Sequence, residues 1–260
     1  MNERNEMATR LSQAMGAGEF EIFFQPQYDA RSGKPMGLES LLRWRHPERG
    51  LVPPVVFLAI CEDSGLIIPL GHWMLAQLCA YQHRLAEAGW PDIGISINIS
   101  ESQLHDDGLV DVLERILADK AAPPASAIEL EVVESLVMKD PEASARILSA
   151  VRALGVRVAI DNFGTGYASM ASLQVIPADK IKLDRSIVQN VDQDQNSAAI
   201  CRSIVSLAHS LKLPVIAEGV ERIEQFEWLR ANGVDGLQGY LFARPAPFDD
   251  MLRGLGALPI

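Results

Sequence analysis

Aromatic residues make up only 6% of this 260-residue chain, and cysteine occurs three times. Cys61, Cys79 and Cys201 stand far apart with no CxxC pair. A disulfide framework or thiolate zinc site is therefore not expected, and a reducing compartment suits the chain. The five histidines show neither HExxH nor HxH spacing. Basic residues are outnumbered, 23 Lys and Arg against 34 Asp and Glu, for a net charge of −11. With no Lys/Arg run to offer a basic face, binding of a nucleic acid polymer is excluded. No apolar run reaches the roughly 18 residues that a membrane span needs. The N-terminal MNERNEMATRLSQAM has neither an apolar signal core nor a small-residue cleavage site. A cytoplasmic domain, or the cytoplasmic part of a membrane-anchored parent protein, is the expectation. What is present is ordinary globular material, 48% hydrophobic and 22% charged.

The pattern predicts a helix over 8–18, then a strand in EIFFQPQYD, a turn in ARSGKP and a second strand in MGLESLLRW. That connection is too short for a crossover helix, so the pair reads as an antiparallel hairpin. Helices are predicted over 54–65 and 71–88. From there strands and helices alternate: IGISIN and 107–119, IELEVVE and 141–154, VRVAID and a short helix after a glycine-rich turn, DKIKLD and 195–211, LPVIAE and 221–232, then VDGLQG. Strand-then-helix repetition means βαβ units and a parallel sheet. Roughly eight strands in this length favour an α/β fold of modified TIM type, a (βα)8 barrel with an antiparallel strand near the N-terminus. An open doubly wound sheet is less favoured, since no GxGxxG follows the first strand. The division expected is a leader helix over 1–18 and a barrel over 19–255.

Polar residues interrupt the apolar strands near their C-terminal ends, the face where barrel enzymes build their sites. They are Glu39, Asn98, Glu131, Asp161, Lys182, Glu218 and Gln238. Two like charges about 4 Å apart repel by about 4 kcal/mol at an effective dielectric of 20. Four carboxylates at one mouth therefore call for cations. Lys182 supplies one positive charge, although alternation with Lys180 leaves its direction open. All-oxygen ligands suit Mg2+ or Mn2+, one ion or two, with Asp161 able to bridge a pair. Such a pair favours in-line hydrolysis of a phosphodiester. Taken singly, most of these residues read as turn formers, helix-start charges or solvated side chains; their joint arrangement reverses that.

Together the motifs FFQPQYD, ESLLRWRHPERG, SINIS, IELEVVES, IDNFGTGYASM, KIKLD, AEGVE and QGYLFARP resemble, in order and over nearly the whole chain, the EAL domain, the cyclic di-GMP phosphodiesterase family of bacterial signalling. Glu39-Ser40-Leu41 stands for the signature Glu-Ala-Leu. The resemblance implies hydrolysis of cyclic di-GMP to linear pGpG in a barrel with one strand reversed. It implies Glu39, Asn98, Glu131 and Asp161 as ligands of one metal, and Asp161, Asn162 and Glu218 as the environment of a second. Lys182 is implied to orient or deprotonate the attacking water, beside Glu218 and Glu39 as catalytic groups. Arg43 is implied as a phosphate contact, and its planar fork suits one. Gln25, Leu41, Glu221 and Gln238 are implied parts of the ligand site, and Glu134 a support for the glycine-rich loop. Related domains also imply a homodimer through 162–176, and a sensor or GGDEF-type domain in a longer parent protein.

Two departures count. Asn162 stands where the family usually has a second Asp, so the second ion loses a charge. Val133 stands where the family usually has Thr, which loosens the link between Glu134 and the loop. Ser40 and Ala168 are mild changes. The alternative reading is a catalytically weak or inactive receptor that holds cyclic di-GMP. A sugar-phosphate barrel enzyme lacks motif support.

Overall fold

The computed structural model describes residues 3–119, 122–165, 176–256 and 258. Among these residues ten strands run in chain order: β1 (Phe20–Asp29), β2 (Pro35–His46), β3 (Gly50–Val52), β4 (Gly94–Ile99), β5 (Ile128–Val133), β6 (Arg157–Phe163), β7 (Lys180–Leu183), β8 (Val215–Ala217), β9 (Gly236–Leu237) and β10 (Ala246–Pro247). Eight of them close into a barrel in the order β1, β2, β4, β5, β6, β7, β8, β9 and back to β1. Only β1 runs against its barrel neighbours, antiparallel to β2 and to β9. The short β3 and β10 add antiparallel edges to β2 and β1.

The hairpin follows from its turn: Asp29 Oδ1 accepts hydrogen bonds from Ser32 N at 2.6 Å and Arg31 N at 3.1 Å. Gly33 takes φ 68°, which favours glycine. Register then sets Gln25 opposite Glu39. Alternation sends one parity of each parallel strand into the helix layer. Ile95, Ile97, Leu130, Val132, Val158, Ile160, Ile181 and Leu183 are all fully buried there. Each such side chain contributes about 1.5–3 kcal/mol by leaving water. The other parity fills the barrel and is largely polar, whereas barrel interiors are ordinarily packed with branched apolar residues.

Side chains start the helices that follow the strands. Ser100 and Gln103 form a reciprocal capping box at helix Glu101–Leu104, just past Asn98. Asp140 and Asp194 cap helices Pro141–Ala153 and Gln195–Ser210. The leader helix spans Glu3–Gly16, longer at its start than the 8–18 expected. The expected short helix after Asp161 and residues 166–175 of the expected dimer segment 162–176, Ala168 among them, lie outside the described residues. Among the described residues no single helix is long and apolar enough to cross a membrane.

Candidate functional site

The inward parity gathers the acidic residues on one buried ammonium. Lys182 is fully buried. Its Nζ lies 2.5 Å from Glu218 Oε1 and 2.6 Å from Glu131 Oε2. Glu39 Oε2 is 3.6 Å away and Asp161 Oδ1 3.7 Å. So β2, β5, β6, β7 and the end of β8 each deliver one charged group to the C-terminal end of the barrel. Four carboxylates against one ammonium leave a surplus of three negative charges when all are ionised.

The protonation balance reflects this crowding. Burial alone would lower the Lys182 pKa, but Asp161, Glu131, Glu218 and Glu39 outweigh it and hold it well above the usual lysine range. Burial pushes Glu131 up, with Lys182 opposing and the other three carboxylates reinforcing. Burial likewise pushes Glu218 up to about 8 against the pull of Lys182. Glu39 goes the other way: burial raises it, yet Lys182 and hydrogen bonds from Gln238 and Asn98 leave it lowered.

A polar collar orients Glu39. Asn98 Nδ2 donates to its Oε1 at 2.8 Å, and Gln238 Nε2 donates to its Oε2 at 2.5 Å. Gln238 also donates to Gln25 Oε1 at 3.0 Å, and its own Oε1 accepts from Gln27 Nε2 at 3.0 Å. Gln25 is anchored in turn by donating to the Ala243 carbonyl at 2.9 Å. Gln25, Leu41, Arg43, Glu221 and Gln238 line a cleft of about 410 Å³ together with Glu39 and Glu218. Arg43 Nη1 donates to the Leu42 carbonyl, and its guanidinium stands 5.4 Å from the Phe23 ring centroid. Glu221 pairs with Arg185 at 3.0 Å.

Two residues lie apart from the Lys182 cluster. Glu134, buried, accepts from the Gly164 backbone N–H at 2.8 Å, so it ties down the start of the glycine-rich loop. Asn162 is half-buried on β6 with φ 52°, a left-handed conformation that Asn tolerates better than most residues.

Among the described residues no three carboxylate, imidazole or thiol groups are disposed to share one ion. The four carboxylates are gathered on the ammonium instead. Their chemistry nonetheless fits a hard cation. Glu131 Oε1 and Asp161 Oδ1 are buried with no hydrogen-bond partner, and orphaned carboxylate oxygens are costly unless something positive meets them.

Four more residues face the barrel interior with no role assigned to them from the sequence: Gln27, Glu129, Arg157 and Lys180. The signal was there as period-two alternation. Gln27 shares a face with Gln25, Glu129 with Glu131, Arg157 with Asp161, and Lys180 with Lys182.

A barrel with one reversed strand, carrying carboxylates around a buried lysine at its C-terminal end, defines the class. The EAL domain profile matches residues 8–245, and the chain belongs to the EAL domain family. It is 38% identical over 253 residues to the bifunctional diguanylate cyclase/cyclic di-GMP phosphodiesterase MucR of Pseudomonas aeruginosa, covering 97% of this chain and 37% of that protein. It is 37% identical over 243 residues to the cyclic di-GMP phosphodiesterase PdeR of Escherichia coli, covering 92% of this chain and 36% of the other. The solved PaMucR phosphodiesterase in complex with c-di-GMP superposes with a TM-score of 0.89 at 39% identity, over 95% of this chain and 99% of that one. The chain thus spans little more than a third of these curated relatives' length.

Proposed function

We propose that this domain hydrolyses cyclic di-GMP to linear pGpG, with divalent-cation dependence of the kind the EAL family implies. The observation that carries the proposal is the meeting of Glu39, Glu131, Asp161 and Glu218 around Lys182 beside an open cleft. Glu39, Asn98, Glu131 and Asp161 would hold one Mg2+ or Mn2+ ion, and Asp161, Asn162 and Glu218 a second. The ions supply a Lewis acid for the phosphate and lower the pKa of water.

The chain's own groups do the rest. Arg43 offers a planar fork to a phosphate at the cleft wall. Gln25, Leu41, Glu221 and Gln238 hold the remainder of the dinucleotide. Lys182, an ammonium among carboxylates, donates rather than accepts; it orients the water and opposes negative charge growing on the phosphoryl oxygens. Glu218, bonded to that ammonium, would take the proton of the attacking water in its ionised form. Water oxygen bonds to phosphorus, the P–O3′ bond breaks, and the leaving 3′ oxygen takes up a proton.

Asn162 favours a second reading, a receptor that holds cyclic di-GMP and cuts it slowly. A neutral amide at that position weakens the second ion. Incubation with cyclic di-GMP and Mg2+ or Mn2+ tests both. Linear product supports the enzyme, whereas a folded, ligand-binding sample that yields none at any metal concentration sinks it. Asn162→Asp then raises turnover at least about tenfold if the second ion limits the rate.

The longer relatives favour a parent protein in which a sensor or GGDEF-type domain governs this barrel, in the cytoplasm. We infer a homodimer as well; sedimentation as a monomer at every concentration would remove that part.

A further inference from the structure

Beneath the Lys182 layer lies a second set of charges inside the barrel. Glu129 and Lys180 are buried, 2% and 7% exposed. Lys180 Nζ stands 2.9 Å from Glu129 Oε2, and Arg157 Nε stands 3.8 Å from the same oxygen. The Arg157 guanidinium crosses the barrel where β4 has Gly94: a Cβ there would lie 2.0 Å from Nη2. Neither Glu129 Oε2 nor Arg157 Nε has hydrogen-bond geometry to a partner. The cluster therefore contributes charge more than directional bonding.

The two layers share strands. β5 carries Glu129 below Glu131, β7 carries Lys180 below Lys182, and β6 carries Arg157 below Asp161. The upper layer reaches a surplus of three negative charges when all four carboxylates are ionised; the lower has two cations against one anion, a surplus of one positive charge. Two residues along a strand separate Glu129 from Glu131 and Lys180 from Lys182 by roughly 7 Å, and four separate Arg157 from Asp161 by roughly 13 Å. At about 7 Å, between the buried groups of Glu129, Lys180 and the layer above, unit charges interact strongly, and the half-buried Arg157 acts on Glu129 beside it.

We propose that Arg157 and Lys180, set against Glu129, form an electrostatic counterweight that tunes the affinity of the upper layer for divalent cations. The lower layer's positive surplus lets the acidic layer persist without metal, and it sets how weakly an ion binds. These are tuning residues that touch neither substrate nor metal. The inference rests on the reading of the upper layer as a cation site.

The sign of the response distinguishes this role from mere packing. Mn2+ affinity is measured by calorimetry on the whole domain, without substrate. Removing a positive charge, by Arg157→Met or Lys180→Met, tightens Mn2+ binding by about tenfold or more. Removing the negative charge, by Glu129→Gln, weakens it by a similar factor. Arg157→Lys keeps the charge and keeps the wild-type affinity. A packing role would instead weaken binding in every charge-removing variant.

Arg157→Met decides the matter, because it leaves Glu129 and Lys180 as a neutral pair and its side chain is 35% exposed, the position most tolerant of change. Unaltered or weaker Mn2+ binding in that folded variant overturns the counterweight alone. A folded wild type that binds no Mn2+ overturns both the counterweight and the cation reading above it.

Discussion

Lys182 shows how an expensive residue becomes tolerable. A lone ammonium in a barrel interior is disfavoured by several kcal/mol, yet four carboxylates within 3.7 Å reverse the balance. Its removal costs more than the pair it makes with any one of them, because the carboxylates then face each other unscreened. Lys182→Met should destabilise the metal-free domain by about 3–5 kcal/mol in urea unfolding and reduce turnover by two orders of magnitude or more. Added Mn2+ should recover part of the stability and none of the turnover. Turnover within about tenfold of wild type would remove Lys182 from the chemistry.

The thiols give a separate residue-scale test. Burial pushes the Cys61 and Cys201 thiols up to about 11 from 9.0. The folded state then holds these protons more tightly than the unfolded chain. Their contribution is complete below pH 9 and is lost as pH rises through 11, on the order of 2 kcal/mol per thiol. Tyr28 and Tyr81, also raised by burial, act in the same direction. Unfolding free energy should fall steadily from pH 9 to 11, and less so in Cys201→Ala. An equal slope in both proteins would contradict the linkage.

At the scale of elements, the segment after β8 is held by close backbone approach. A Cβ on Gly239 would lie 2.0 Å from Val220 O and 2.3 Å from its N. Val220 N donates to the Gln238 carbonyl at 3.0 Å, and Leu241 N donates to the Val220 carbonyl at 3.0 Å. This lacing sets Glu218 and Glu221 against Gln238. Gly239→Ala should cost about 2–4 kcal/mol and weaken cyclic di-GMP binding. Gly254→Ala, where nothing stands within 4 Å, should do neither. Thermal unfolding and ligand titration of both variants decide it.

Elements differ in how plainly the sequence announced them. The hairpin, the parallel strands and helices such as Gln195–Ser210 carry strong periodicity and turn residues, so alternation alone exposed them. The Ser100–Gln103 box corresponds to an SxxQ stretch just beyond Asn98. The short pieces β3, β10, Glu134–Val137, Arg185–Val188 and Phe248–Gly254 were not read. Two or three residues of strand have no measurable period, and their pairing with Trp44 or Phe23 is set by tertiary contact. Glu39 and Glu131 stood out because a carboxylate interrupts an apolar strand. Lys180 and Arg157, near strand starts, look the same in sequence as solvated ends.

The molecule as a whole carries its negative charge both outside and inside. Net charge is −11, and the upper barrel layer alone holds four carboxylates against one ammonium. Surface charge is screened within about 10 Å at 0.1 M salt, whereas the buried layer is not, so monovalent salt should do little for it. A divalent ion bound only in the folded state stabilises by about 2.7 kcal/mol at a hundredfold excess over its Kd. For a chain of this size that corresponds to a rise in Tm of about 5–10 °C. Melting in excess chelator, then with Mn2+, then with sodium chloride at matched ionic strength, separates the two effects. Only the Mn2+ sample should gain the full shift, and Asp161→Asn, which removes the carboxylate proposed above to serve both ions, should lose most of it. Equal gains from Mn2+ and sodium chloride would mean that the acidic surface, rather than the barrel interior, is what cations stabilise.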